Sequence, residues 1–85
     1  MNCPICLEET NICTKQGQPY HYFTYFGKGI FNLRYGDITV IVGFDATDIY
    51  FGDVLTGEFV SILEQITPER AFELAKEYEK NSVLL

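Results

Sequence analysis

Residues 20–42 read YHYFTYFGKGIFNLRYGDITVIV and decide the class of fold that we expect. Three segments rich in aromatic and β-branched residues, the types most frequent in strands, are separated by short turns that contain glycine. Gly27 and Gly29 predict a hairpin between the first two segments, and Gly36 marks the turn into the third. The apolar run 38–44 predicts a central strand that is largely buried on both faces.

The rest of the chain continues this pattern and ends in a helix. Segments 49–54 and 58–63 predict two further strands. Thr67 can cap a helix, and Pro68 suits its first position because the missing N–H would be unpaired there. From 71 to 78 apolar residues recur at helical spacing. We therefore expect an α+β fold: an antiparallel meander of four to five strands with one C-terminal helix packed on a face, preceded by an irregular Cys-rich N-terminal arm.

The chain has 85 residues, which predicts a single small domain over residues 1–85. Within it we expect a Cys-containing arm at 1–19, an antiparallel sheet at 20–64 and a helix at 67–81. A core of this size stabilises a fold only marginally, so many small domains add a disulfide or a metal ion. A metal ion held by the arm would serve that purpose.

The chain carries 12 acidic against 6 basic side chains, a net charge of −6. This charge disfavours direct binding to nucleic acids or to anionic membranes, and it favours another protein with a basic surface as the partner. No secretory signal is visible, and no apolar stretch approaches the ~20 residues of a membrane helix. With three cysteines, which cannot all pair within one chain, we expect reduced thiols and a cytoplasmic location.

The candidate metal ligands are concentrated in the first quarter of the chain. Cys3, Cys6, Cys13 and His21 follow the spacing C-x2-C-x6-C-x7-H and include every cysteine and the single histidine. Zinc prefers four nitrogen or sulfur ligands in a tetrahedron, which this set supplies. We therefore predict a structural Zn²⁺ held by these four residues, which would tie the arm to the first strand.

The tetrapeptide Cys3-Pro4-Ile5-Cys6 resembles the knuckles of zinc ribbons and related zinc modules, which often read C-P-x-C. The resemblance covers residues 3–6 and implies a structural metal site. Those modules usually repeat the knuckle as a second C-x-x-C, whereas this chain offers Cys13 and His21 in its place.

Two other interpretations of the cysteines stay open. They can be reduced thiols in the arm, some of them packed as small hydrophobic side chains. The C-P-x-C sequence also resembles the dithiol of thioredoxin-like proteins, which implies a thiol-redox protein that uses Cys3 and Cys6. Thioredoxin-like proteins place that motif after a strand and at a helix N-terminus, but only two residues precede Cys3 here.

The remaining candidates belong to binding surfaces. The aromatic strand that includes Tyr22 and Tyr25 can stack nucleic-acid bases, so a single-stranded nucleic-acid binder is a further alternative. Exposed tyrosines also suit a protein interface. The acidic residues of the turns form a candidate rim for a basic partner: Asp45, Asp48, Asp53 and Glu58.

Recognisable catalytic motifs are missing from the sequence, so we expect a protein that is not an enzyme. By exclusion, the sequence predicts a small acidic, non-enzymatic protein-interaction module. An inhibitor or accessory protein that occupies a basic site on a larger partner fits the size and the charge.

Overall fold

The computed structural model describes residues 1–15, 20–52, 55 and 57–83. It contains one six-stranded antiparallel sheet in which the strands lie side by side in chain order, followed by one helix. The elements are β1 (Ile12–Cys13), β2 (His21–Gly27), β3 (Ile30–Tyr35), β4 (Ile38–Val42), β5 (Thr47–Phe51), β6 (Glu58–Ile62) and α1 (Pro68–Val83).

The predicted α+β meander with a C-terminal helix on one face is confirmed. Strands β2 to β6 correspond to the five predicted strands, and β1 is an additional strand of two residues within the arm. A segment this short has no periodicity from which sequence analysis can predict a strand. Pairing along β2 forms it: Cys13 lies opposite Phe23, and Ile12 lies opposite Thr24.

Strand β4 is not buried on both faces, and that prediction was wrong. Ile38, Val40 and Val42 are buried, whereas Thr39 and Ile41 between them are half-exposed. The reason is that α1 covers only one face of the sheet, and an antiparallel sheet can leave its second face to water. We call the face toward α1 the helix side and the other the open face.

The core lies between the helix side of the sheet, α1 and the N-terminal arm. Alternate residues of the central strands point into it, as the strand period of two requires. Two cysteines of the arm belong to the same buried cluster, so the arm is part of the core and not an appendage. The buried apolar residues are Cys3, Cys13, Phe23, Phe31, Leu33, Ile38, Val40, Val42, Ile49, Ala71 and Ala75.

The start of helix α1 is fixed by its cap, as predicted. The Arg70 backbone N–H donates to Thr67 Oγ1 at 3.2 Å, and Pro68 occupies the first helical position. Ala71 and Ala75 are fully buried, and their small side chains let the helix lie close to β3 and β4.

The far end of α1 is tied to the turn between β3 and β4. The Asp37 backbone N–H donates to Glu79 Oε2 at 3.0 Å. At Gly36, φ is +60°, and a Cβ there would lie 2.6 Å from Glu79 Cδ. Glycine at this position therefore allows both the positive φ and the close approach of the helix.

Substitution of Ala75 by glutamine tests the contact between the helix and the sheet. Overpacking and an unpaired buried amide each cost roughly 1–3 kcal/mol, so we expect the free energy of unfolding to fall by about 2–5 kcal/mol. Urea denaturation measures this change. The control is Glu77→Gln at an exposed position of the same helix, which should shift stability by less than about 0.5 kcal/mol. Equal effects of the two variants would show that α1 packs differently.

Candidate metal centre

The structure brings together the four residues that the spacing singled out. The ligand atoms of Cys3, Cys6, Cys13 and His21 all lie within 4.8 Å of one another. Cys6 is half-buried and the other three are buried. Cys3 and Cys6 come from a turn in the arm, whereas the other two residues come from β1 and β2. The cluster therefore joins three separate segments at one point and can hold a metal ion.

Two distances from the Cys13 sulfur are close to those of a tetrahedral site. With Zn–S near 2.3 Å and Zn–N near 2.0–2.1 Å, tetrahedral geometry requires about 3.8 Å between two sulfurs and about 3.5 Å between sulfur and nitrogen. The sulfurs of Cys6 and Cys13 lie 3.3 Å apart, and Cys13 Sγ lies 3.5 Å from His21 Nε2. An ion at the centre requires shifts of only a few tenths of an ångström for these two pairs.

The arm segment that carries Cys3 and Cys6 is a tight hairpin. The Leu7 N–H donates to the Cys3 carbonyl at 2.8 Å, and the Cys3 N–H donates to the Glu8 carbonyl at 2.9 Å. Asn2 and Glu9 form an antiparallel bridge beyond the turn. Leu7 has a φ of +63°, in the left-handed region that non-glycine residues rarely adopt. This backbone directs the sulfurs of Cys3 and Cys6 toward one point.

Backbone N–H groups of the same hairpin surround the two thiols. Burial raises the pKa of the Cys3 thiol to about 11, although hydrogen bonds from the backbones of Cys6 and Ile5 act in the opposite direction. At Cys6 the hydrogen bond from the Glu8 backbone is the largest effect, and the pKa is lowered. These N–H groups stabilise thiolates, which are the form of cysteine that binds metals.

Strand pairing positions the other two ligands. Cys13 lies opposite Phe23, so it faces the helix side of the sheet. His21 precedes Phe23 by two residues on β2 and therefore points to the same face. Diagonal neighbours on adjacent strands lie within reach of each other. The short strand β1 thus places a sulfur beside the imidazole.

The orientation of His21 assigns Nε2 as its ligand atom. Nε2 faces the Cys13 sulfur, whereas Nδ1 is buried and has no hydrogen-bond partner among the described residues. In a neutral imidazole that binds a metal through Nε2, Nδ1 carries the proton. Metal ligation would give Nε2 a strong bond. Without a metal, the one polar contact of the buried ring among the described residues is that between Nε2 and the Cys13 sulfur.

The predicted tyrosines of the partner surface lie on opposite faces of the sheet. Tyr22 is on the open face, beside Arg34 of β3. Tyr25 is on the helix side, where it packs against the core, and its hydroxyl accepts the Gly29 N–H at 3.1 Å. One surface on the sheet cannot contain both side chains.

The predicted acidic rim is also divided. Asp45 is exposed in the turn before β5, and Asp48 is half-exposed on the open face of β5. Glu58 is exposed at the start of β6 and lies opposite Phe51, which places it on the helix side. Asp53 lies outside the described residues.

Sequence analysis missed the left-handed Leu7 and the backbone donors around the thiols. A glycine after Cys6 would have signalled the left-handed turn, but leucine at this position gives no such signal. Comparison with known protein families, characterised proteins and solved structures gives no match to this chain. Among the described residues, no helix is long and apolar enough to cross a membrane.

Removal of one ligand tests the metal site. If the four residues bind one zinc ion, the wild-type protein purified without chelators should carry about one equivalent by elemental analysis. Cys6→Ser should lose nearly all of it. The control is Ile12→Ser, which changes an arm residue of β1 that is 64% exposed and lies on the open face. Wild-type protein without metal, or equal metal in both variants, would contradict the site.

Two substitutions at Leu7 test the knuckle backbone. The side chain is 74% exposed, so its identity acts mainly through φ. Leu7→Gly should keep at least the wild-type affinity for zinc, because glycine adopts positive φ freely. Leu7→Val should weaken the affinity about tenfold, because a β-branched residue resists that conformation. Competition with a chromophoric chelator measures both, and equal affinities would show that the turn does not control the site.

Proposed function

We propose that this protein is a non-enzymatic protein-interaction module whose N-terminal arm is pinned to the sheet by a structural zinc ion. The observation that carries the proposal is the cluster of Cys3, Cys6, Cys13 and His21, which joins the arm hairpin to β1 and β2. A site with four protein ligands is typical of structural zinc, whereas catalytic zinc keeps one position for water or substrate.

Ligand chemistry supports zinc over other common metals. Three thiolates and one imidazole are soft or borderline ligands, which suit zinc and disfavour magnesium and calcium. Three thiolates with Zn²⁺ leave one net negative charge at the centre, and the N–H groups of the hairpin help to stabilise it. Binding would strengthen the attachment of an arm whose apolar contacts with the core come from Cys3, Ile5, Cys6 and Cys13.

The partner that the charge distribution favours is basic. Between Arg34 and Arg70 the chain has no lysine or arginine. The same range contains seven acidic residues: Asp37, Asp45, Asp48, Asp53, Glu58, Glu64 and Glu69. Such a local excess of negative charge accelerates encounter with a positively charged site and disfavours phosphate-rich ligands. An inhibitor or accessory protein that occupies a basic site on a larger partner fits these properties.

The thiol-redox alternative has less support. Cys3 is fully buried and its thiol has a pKa of about 11, so it is a poor attacking nucleophile near neutral pH. Cys6 has a lowered pKa, but its sulfur lies 3.3 Å from the Cys13 sulfur and therefore belongs to the ligand cluster. Alkylation separates the two functions: a catalytic thiol reacts rapidly in the native protein, whereas a zinc-bound thiol reacts slowly until a chelator is added.

The nucleic-acid alternative has less support as well. Tyr22 and Phe26 of the aromatic strand point away from the core, and Tyr20 packs edge-on against Tyr22 with ring centres 4.8 Å apart. Among the strand residues, Arg34 is the one basic side chain on the open face. Stacking platforms for single strands combine several aromatic side chains with a basic groove. The open face offers a shallow depression of about 280 Å³ beside Tyr22 and Arg34, with a single positive charge.

Charge reversal at Asp45 and Asp48 tests whether the proposed partner binds to these acidic residues. Asp45→Lys combined with Asp48→Lys should slow association with a partner captured from the source cells and weaken the salt dependence of that rate. The control, Glu73→Lys with Glu77→Lys, makes the same charge change at two exposed positions of α1 outside the range from Arg34 to Arg70 and should alter the rate much less. If both double variants capture and bind the same proteins as the wild type does, the acidic turns are not the interface.

A further inference from the structure

Strand β6 (Glu58–Ile62) is the last strand of the sheet. It pairs with β5 along all five of its residues, and no described strand lies on its outer side. Every second residue of a strand in this position directs its backbone N–H and C=O outward. These unpaired groups form a template for another extended chain.

The side chains of β6 are unusual for a free edge. Phe59 on the open face is 59% exposed, and Val60 on the helix side is 41% exposed. Leu63 directly after the strand is 87% exposed. Edge strands are commonly protected by lysine, proline, a bulge or a short length. Strand β6 has five residues, EFVSI, in regular register and with Glu58 as its only charge.

The opposite edge of the sheet differs in length. Strand β1 has two residues, and the arm hairpin with the metal cluster is built next to it. An edge of two residues offers too few hydrogen bonds to hold a second chain. Strand β6 is therefore the edge that suits strand addition.

The charges beside β6 select the kind of chain that can pair with it. Glu58 begins the strand and Glu64 follows it, and both are exposed. Asp48 lies opposite Ser61 on the neighbouring strand. No lysine or arginine occurs from 35 to 69. A second copy of this chain would bring the same acidic residues together, with a net charge of −6 on each copy.

We propose that β6 binds an extended segment of the partner by strand addition, and that this segment carries apolar residues at its centre and basic residues at both ends. Main-chain hydrogen bonds to the edge provide affinity, and side-chain contacts provide specificity. Central apolar residues of the added strand lie beside Phe59 on the open face and Val60 on the helix side. Its terminal basic residues lie near Glu58 at one end and near Glu64 and Asp48 at the other. This inference rests on the proposed interaction function and names its binding mode.

The test uses three capped seven-residue probe peptides. The first has three central valines with two lysines on each side. The second has the same sequence with alternate backbone nitrogens methylated, so that it keeps its charge but cannot donate along one edge. The third replaces lysine with glutamate. Amide chemical shifts of the full-length, zinc-loaded protein are recorded during titration with each peptide. We expect the first peptide to shift residues 58–62, the methylated peptide to bind about tenfold or more weakly, and the acidic peptide to show no saturable shift.

A matched pair of variants localises the contact. Val60→Lys places a charge on the β6 edge and should weaken binding of the lysine–valine peptide about tenfold or more. Ile12→Lys makes the same kind of change at the opposite edge and should leave that binding unchanged. If Val60→Lys does not fold, the methylated peptide still tests the edge on the wild-type protein.

The outcomes separate the binding mode from the general function. Equal binding of the two basic peptides, with shifts at Asp45 and Asp48 but not along β6, would overturn strand addition and leave an acidic interaction surface. No binding of either basic peptide would overturn both strand addition and the acidic interaction surface. Shifts along β6 that depend on protein concentration without peptide, together with a dimer in sedimentation, would identify a second copy as the occupant and overturn the basic partner.

Discussion

The width of one helix is the constraint on which the rest of this structure depends. A helix is about 10–12 Å across with its side chains, whereas strands lie about 4.8 Å apart, so one helix covers two to three strands of a sheet. Helix α1 lies against β3 and β4 in the middle of a six-stranded sheet. The strands on either side therefore need another cover or remain exposed. Both outcomes occur: the arm covers the side of β1 and β2, and β6 stays open to water at the other end.

Because α1 does not cover β1 and β2, a metal ion at the Cys and His cluster would have a structural role there. The arm contributes Cys3 and Cys13 to the buried core, but it has few other apolar residues with which to compensate the entropy lost on ordering. A metal ion bound by the four clustered residues would supply that stabilisation at the point where the arm hairpin, β1 and β2 meet. The rest of the sheet and α1 have their own apolar contacts. Such an ion would complete one side of the core and would not organise the entire fold.

The sequence predicted those features that depend on local patterns. The cap at Thr67 and Pro68 located the start of α1, and glycine-bearing turns located the hairpins. The spacing of Cys3, Cys6, Cys13 and His21 predicted that these residues lie together, because three cysteines and a histidine are a typical ligand set for zinc. Long-range packing was harder to predict. Whether Thr39 and Ile41 face water depends on where helix α1 lies. The separation of Tyr22 from Tyr25 follows from the same choice of face. Leu7 in a left-handed turn gave no signal at all.

Hydrogen exchange of the arm amides, with and without zinc, tests directly whether a bound metal ion keeps the arm ordered. The Cys3 and Leu7 amides donate to carbonyls within the hairpin, so their exchange reports whether the arm is ordered. We expect strong protection of both amides with zinc bound and its loss after chelation, while amides of β3 and β4 keep most of their protection. Equal protection of the arm with and without metal would contradict the account, because the arm would then be held by packing alone.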